Sequence, residues 1–216
     1  MDSPPPPPTK KNIPPPPGFR TEQVAPQPVI PPPPTSMNDG IFGAGICPIT
    51  FYNGEMYLFL GKDKMDNTFS DFGGRCELED KGNSLNTAMR EFYEETCGII
   101  MDMKSLKNRM SNKDNYTTVY SKTQKGYNYY MYILQIPYNP SYRAIYRKLT
   151  YYMKWKKLYK VMMEKNDVVF VSLASLVKNE KLMLRKVFEN TFRNNVQTFI
   201  DLERSMKSLH ETLGAS

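Results

Sequence analysis

Histidine is almost missing from this chain: His210 is the only one among 216 residues. Its position near the C-terminus argues against histidine-based metal sites and against Ser-His-Asp or Cys-His catalysis. Cysteine is scarce too, at Cys47, Cys76 and Cys97. That number is odd and none forms a CxxC pair. A disulfide framework or a cysteine–zinc site is therefore not expected, and a reducing compartment is. No run of about 18 apolar residues occurs, so no helix should span a membrane. The first residues contain no apolar stretch of the kind a secretory signal needs. The expected setting is the cytoplasm, with no membrane partner.

Proline is rare after the first 40 residues, which hold fifteen of the 18. They cluster as Pro4–Pro8, Pro14–Pro17 and Pro31–Pro34. Proline has no amide proton and a fixed φ, so these runs cannot join a helix or a sheet ladder. Residues 1–38 are expected to be a disordered, polyproline II-like tail. Pro5, Pro8 and Lys10 fit a PxxPxK ligand for an SH3-type or other proline-binding domain. An entropic spacer without a partner is the simpler reading, because short proline patterns arise by chance in any proline-rich segment. The first 40 residues carry no net charge, so the formal +7 sits on the remainder. That remainder suffices for one domain with a real core and is too short for two. The expected organisation is a domain over 39–178 with a basic helical insertion at about 141–165, then a C-terminal helix within 179–216 packed on it.

Ile41–Asn53 is apolar and β-rich, Asn53-Gly54 is a turn signal, and Glu55–Leu60 reads as the returning strand. Asn67–Phe72 is a short extended stretch running into Gly73-Gly74. Ser84–Thr96 has helical periodicity. Tyr116–Ser121 and Tyr127–Ile136 read as strands around Lys125-Gly126, and Asp167–Leu173 as another. Ser141–Lys165 and Lys181–Lys207 read as long helices. This order predicts an α/β/α sandwich of the α+β type with a mixed sheet.

The informative stretch is Arg90-Glu91-Phe92-Tyr93-Glu94-Glu95-Thr96. On a helix advancing about 100° per residue, Glu91, Glu94 and Glu95 share one face. Leu85, Ala88, Met89 and Phe92 form a separate apolar face. Three glutamates this close repel one another and either protonate or recruit cations; hard oxygen ligands favour Mg²⁺ or Mn²⁺. Arg90, four residues before Glu94, is placed to brace them by a forked hydrogen bond. A solvated acidic helix face is the simpler alternative. Against it stand Gly73-Gly74, where a tight turn could bring backbone carbonyls to the same cations, and the further acids Glu77, Glu79 and Asp80.

This stretch resembles the signature of the Nudix hydrolases. Gly74 matches its first glycine, and Arg90, Glu91, Phe92, Glu94 and Glu95 match its Arg-Glu and Glu-Glu core in register. Two departures stand out. Gly82 falls where the signature has its upstream glutamate, while Asp80 lies at the right distance from Gly74, as if the loop were two residues longer. Cys97-Gly98 replaces the usual single glycine at the helix end. The resemblance implies a Nudix-like fold and a Mg-dependent pyrophosphohydrolase acting on a nucleoside diphosphate linked to another group. It implies Glu91, Glu94, Glu95 and the Gly74 carbonyl as metal ligands, Glu91 or Glu95 as activator of water, and Arg90 as their orienter. Glu164, ahead of the late strand, is the candidate for a further acid, with Asp167 behind it.

Ser141–Lys165 is the most basic segment, with eight lysines and arginines against Glu164 alone. Ile145, Leu149, Tyr152, Trp155, Tyr159 and Met162 recur at helical spacing, which predicts their burial. Arg143, Arg147, Lys154 and Lys157 fall opposite. An amphipathic cover helix explains this spacing. So does a track for RNA or polyphosphate, with basic residues on phosphates and aromatics on bases. Lys62 and Lys64 are further candidates to reach a phosphate. The Lys, Asn, Tyr and Met richness is similar to that of proteins from AT-rich genomes, and the signature loosely resembles Nudix proteins of large DNA viruses. A viral source would make the location the host cytoplasm. The expected substrate is a capped RNA 5′ end or related nucleotide; diphosphoinositol polyphosphates and dinucleoside polyphosphates are alternatives. The rival class is a nucleotide- or RNA-binding module without turnover.

Overall fold

The computed structural model describes residues 42–156, 164–178, 180 and 182–214. The proline-rich tail, Lys157, Tyr159 and Met162 lie outside them. Strand β1 (Phe42–Tyr52) returns through Asn53 and Gly54, both at positive φ, into β2 (Glu55–Asp63). Such a left-handed pair is what an Asn-Gly hairpin turn requires. Short strands β3 (Phe69–Ser70) and β4 (Phe72–Arg75) follow, then α1 (Ser84–Glu95) and α2 (Met103–Met110). The hairpin of β5 (Tyr116–Lys122) and β6 (Asn128–Gln135) precedes α3 (Tyr142–Trp155), β7 (Lys165–Ser172) and α4 (Leu173–Val177). Helices α5 (Lys186–Asn194) and α6 (Val196–Gly214) end the described chain.

Among the described residues the strands form one seven-stranded sheet. Its path runs β3-β2-β1-β6-β5, with β4 beside the first half of β1 and β7 beside β2. β1 and β6 pair in parallel and the other ladders are antiparallel, so the sheet is mixed, as the sequence predicts. β6 shows how the layers arise. Tyr130, Tyr132 and Leu134 enter a core under α1, α2 and α3, while Tyr129, Met131 and Ile133 enter the opposite core under α4, α5 and α6. This period-2 division of an apolar strand between two covered faces defines an α/β/α sandwich. Among the described residues no helix is long and apolar enough to cross a membrane.

Three readings of the helices need correction. The helix expected over Ser141–Lys165 ends at Trp155 within the described residues, and Lys165 opens β7. Its buried face is Tyr142, Tyr146, Thr150 and Met153, while Ile145, Tyr152 and Trp155 are exposed. The helix is rotated because Tyr142 packs on Phe59 and Phe170, and the Tyr146 hydroxyl donates to the Lys165 carbonyl at 3.0 Å. Such amphipathic rings are buried when their polar tip finds a partner. The single helix expected over Lys181–Lys207 is instead α5 and α6. At the break, the Asn195 side-chain amide donates to the carbonyls of Tyr120 (3.1 Å) and Thr191 (2.8 Å).

Candidate functional site

Helix α1 is started by Asn83, whose side-chain oxygen accepts from the Leu85 and Asn86 amides. It is ended by left-handed Cys97 and Gly98, with the Gly98 amide donating to the Tyr93 carbonyl at 3.0 Å. Both residues of the Cys97-Gly98 pair, which replaces a single glycine, thus adopt the left-handed conformation of a helix cap. Ala88, Met89 and Phe92 are buried in the core, and Phe92 meets Phe72 of β4 edge-to-face. This packing presents Glu91 and Glu95 to the Gly73-Gly74 stretch of β4.

Arg90 fixes the loop before the helix. Its Nε and Nη2 each donate at 3.0 Å to one oxygen of Asp80, and Nη2 also reaches the Arg75 carbonyl at 3.0 Å. The fork that the sequence assigns to Glu94 therefore goes to Asp80; Glu94 receives one longer bond of 3.3 Å from Nη1. Burial disfavours the Asp80 anion, but the Arg90 bonds and the Glu77 amide outweigh it and hold the carboxyl below its usual range. Asp80 thereby ties the loop after β4 to helix α1.

The three glutamates are not equivalent. A Cβ on Gly74 would collide with the Glu91 carboxylate, so glycine lets the strand touch the acid. Burial pushes the Glu91 carboxyl up to about 7 against the pull of Arg90, with Glu94 and Glu164 adding repulsion. Glu94 is more open and is raised mainly by burial. Glu95 is only 2 % exposed. Its Oε2 accepts from the Gly73 amide at 2.9 Å, and its Oε1 faces the Lys165 ammonium at 3.2 Å. Burial raises this carboxyl, with Lys165 opposing. Among the described residues no three His, Cys, Asp or Glu side chains converge as a ready metal cage.

Glu164 is exposed, and its carbonyl accepts from the Lys64 amide at 2.8 Å. Asp167 is not free: Arg143 grips it with a 2.6 Å ion pair, and Arg147 lies 3.7 Å away. Two members of the expected basic track are thus turned to a carboxylate, because β7 presents Asp167 to α3. Lys154 is exposed, and Lys62 sits over the Phe69 ring at 6.0 Å.

A cleft of about 330 Å³ opens beside Gly73 and Gly74. Arg75, Lys125, Arg185 and Lys186 give it a basic rim, and Phe42 and Tyr127 supply aromatic walls. Asp71 lies in it, accepting from the buried Tyr129 hydroxyl at 2.7 Å. Sequence reasoning missed these cations. They come from the end of β4, the β5–β6 turn and the start of α5, and no local motif joins them.

No protein-family model matches the chain. A stretch of 68 residues is 37% identical to uncharacterized protein L534 of Acanthamoeba polyphaga mimivirus, covering 29% of this chain and 22% of that protein. The chain thus matches about a fifth of the length of this relative. In structure it is similar to an Ap4A hydrolase of C. elegans (TM-score 0.44, 13% identity, 75% of this chain and 98% of that one). It is also similar to the Nudix domain of Shewanella oneidensis NrtR complexed with ADP ribose (TM-score 0.45, 12% identity, 74% and 87%). A MutT/Nudix protein of Enterococcus faecalis gives a TM-score of 0.45 at 12% identity (72% and 62%).

Proposed function

We propose that the chain is a divalent-metal-dependent hydrolase of the Nudix type, cleaving the phosphoanhydride bond of a nucleoside diphosphate derivative. The observation that carries this reading is the meeting of the Glu91 carboxylate with Gly74 at the edge of a basic cleft. The donor set suits Mg²⁺, which is usually held by one or two carboxylates and substrate phosphates rather than by a full protein cage. Glu91, Glu94 and the Gly74 carbonyl would hold it, with Glu164 as a nearby acid. When bound, Mg²⁺ neutralises phosphoryl oxygens and makes a water more acidic.

The chain's own groups do the rest. Arg75, Lys125 and Arg185 bind the polyphosphate, and Tyr127 offers a face for a base. Water adds to one phosphorus, its proton passes to Glu91, and the P–O bond to the leaving phosphate breaks. Arg90, held by Asp80, keeps Glu91 aimed at that point.

The exposed rings of Tyr151, Tyr152 and Trp155 support an extension of this reading to capped RNA, since stacking needs open faces. Lys154 and Lys157 are the remaining track cations. An assay over capped RNA, dinucleoside polyphosphates, ADP-ribose and diphosphoinositol polyphosphates tests substrate choice. Faster cleavage of capped RNA than of free cap analogue supports the extension, and equal rates reject it.

A further inference from the structure

We infer that Lys165 acts as a built-in cation that withdraws Glu95 from metal coordination and makes it a positioning residue for the Gly73 backbone. The inference rests on the proposed metal-dependent reading of the Glu91–Gly74 site.

Lys165 is fully buried. Its ammonium lies 3.2 Å from Glu95 Oε1 and 3.9 Å from Asp63 Oδ2, and it donates to Ser70 Oγ at 2.9 Å. A buried ammonium persists only where charge and hydrogen bonds compensate it. Several features bring it there. The β2–β7 ladder slips between Lys62 and Asp63, which pair with Asp167 and Lys165, leaving Asn166 as the extra residue. A bulge of this kind re-aims the neighbouring side chain. Gly61 lets the lysine stem pass, since a Cβ there would lie 2.9 Å from its Cγ. The Tyr146 hydroxyl holds the Lys165 carbonyl.

The consequence concerns charge. One oxygen of Glu95 neutralises Lys165 and the other accepts the Gly73 amide. A divalent ion at Glu95 would have to displace that ammonium or share its carboxylate. Among the described residues Glu91 and Glu94 have no buried lysine partner; their cation is Arg90, which is anchored on Asp80. The acidic trio seen in the sequence therefore divides by its counter-ion: Glu91 and Glu94 share the partly exposed Arg90, which Asp80 already engages, while Glu95 is paired with a fully buried lysine.

Mn²⁺ binding to the purified full chain, followed by calorimetry and by electron paramagnetic resonance, tests this. Glu91→Gln is expected to weaken Mn²⁺ about tenfold or more, since affinity follows the count of charged ligands. Glu95→Gln in the otherwise unchanged protein should leave affinity within about twofold and leave the Mn²⁺ spectrum unaltered. Lys165→Met should bind Mn²⁺ more tightly or take up a further equivalent, because Glu95 then lacks its counter-ion. Lys165→Arg should restore the original stoichiometry. Equal weakening by Glu95→Gln and Glu91→Gln would overturn the inference while leaving the metal site standing, and this comparison does not depend on the folding of Lys165→Met. A folded Lys165→Met with unaltered binding would overturn it too. An unaltered protein that binds no Mn²⁺ would overturn the reading of the site, and the inference with it.

Discussion

Arg90 and Asp80, ten residues apart, face each other through two hydrogen bonds of 3.0 Å each, and this pair ties the loop after β4 to helix α1. Asp80 is 2 % exposed, and Thr87 and the Glu77 amide also donate to it. Asp80→Ala removes a charge-assisted fork and leaves Arg90 among Glu77, Glu91 and Glu94. Stability should fall by roughly 1.5–3 kcal/mol, the range for hydrogen bonds to charged groups. Urea melts of the variant measure it. A loss under about 0.5 kcal/mol would show that the loop holds without the pair.

The register of Arg90, Glu91, Glu94 and Glu95 was legible in the sequence because helical spacing alone sets which residues share a face. The Asn53-Gly54 hairpin and the mixed sheet were legible too, from turn chemistry and alternating apolar residues. Two kinds of feature were not. The partner of Glu95 is Lys165, seventy residues later, brought inward by the bulge at Asn166, the gap at Gly61 and the Tyr146 hydroxyl. The buried face of α3 depends on the Tyr146 hydroxyl reaching the Lys165 carbonyl and on Tyr142 packing against Phe59 and Phe170, so periodicity chose Tyr152 and Trp155 while packing chose Tyr142 and Tyr146. The cleft cations come from separate segments and have no periodicity to betray them.

Acid–base titration of the metal-free protein has a defined sign. Burial, against the Tyr129 bond, pushes Asp71 from 3.8 up to about 6, and Glu91 moves from 4.5 up to about 7. The folded state then binds more protons than the unfolded chain across that window. This contribution to stability is full below the unfolded values and is lost as pH rises through the folded ones. With chelator present, the melting temperature should fall by a few degrees between about pH 5 and 7.5. Asp71→Asn should flatten part of the slope. A rise over that window would contradict the burial of these acids.

Arg143→Ala and Arg147→Ala separate an RNA track from the Asp167 lock. Arg143 grips Asp167 at 2.6 Å, so its removal should lower stability while Arg147→Ala changes little. Arg143 is half-exposed, which limits its loss to about 1 kcal/mol. If α3 carries RNA, Lys154→Glu together with Tyr151→Ala should weaken capped-RNA binding and reduce its salt dependence. Stability should stay within about 0.5 kcal/mol, because both residues are exposed. Unaltered RNA affinity would reduce α3 to a cover helix.

Substitution in the cleft should act on binding. Arg185→Ala and Lys125→Ala should each raise KM for a polyphosphate substrate with a smaller change in kcat, the pattern of lost uniform binding. A fall in kcat at unchanged KM would place these cations at the reacting phosphate instead.

The most direct test of the account is hydrolysis of nucleoside diphosphate derivatives by the purified chain, with Mg²⁺ and with chelator. Phosphate-containing products should form only with the cation, and Glu91→Gln and Glu94→Gln should each lower the rate by orders of magnitude while the protein remains folded. Turnover that persists in chelator, or in both variants, would contradict the assignment of the Glu91–Gly74 site. Metal binding with no turnover across the full panel would instead mark the chain as a binding module.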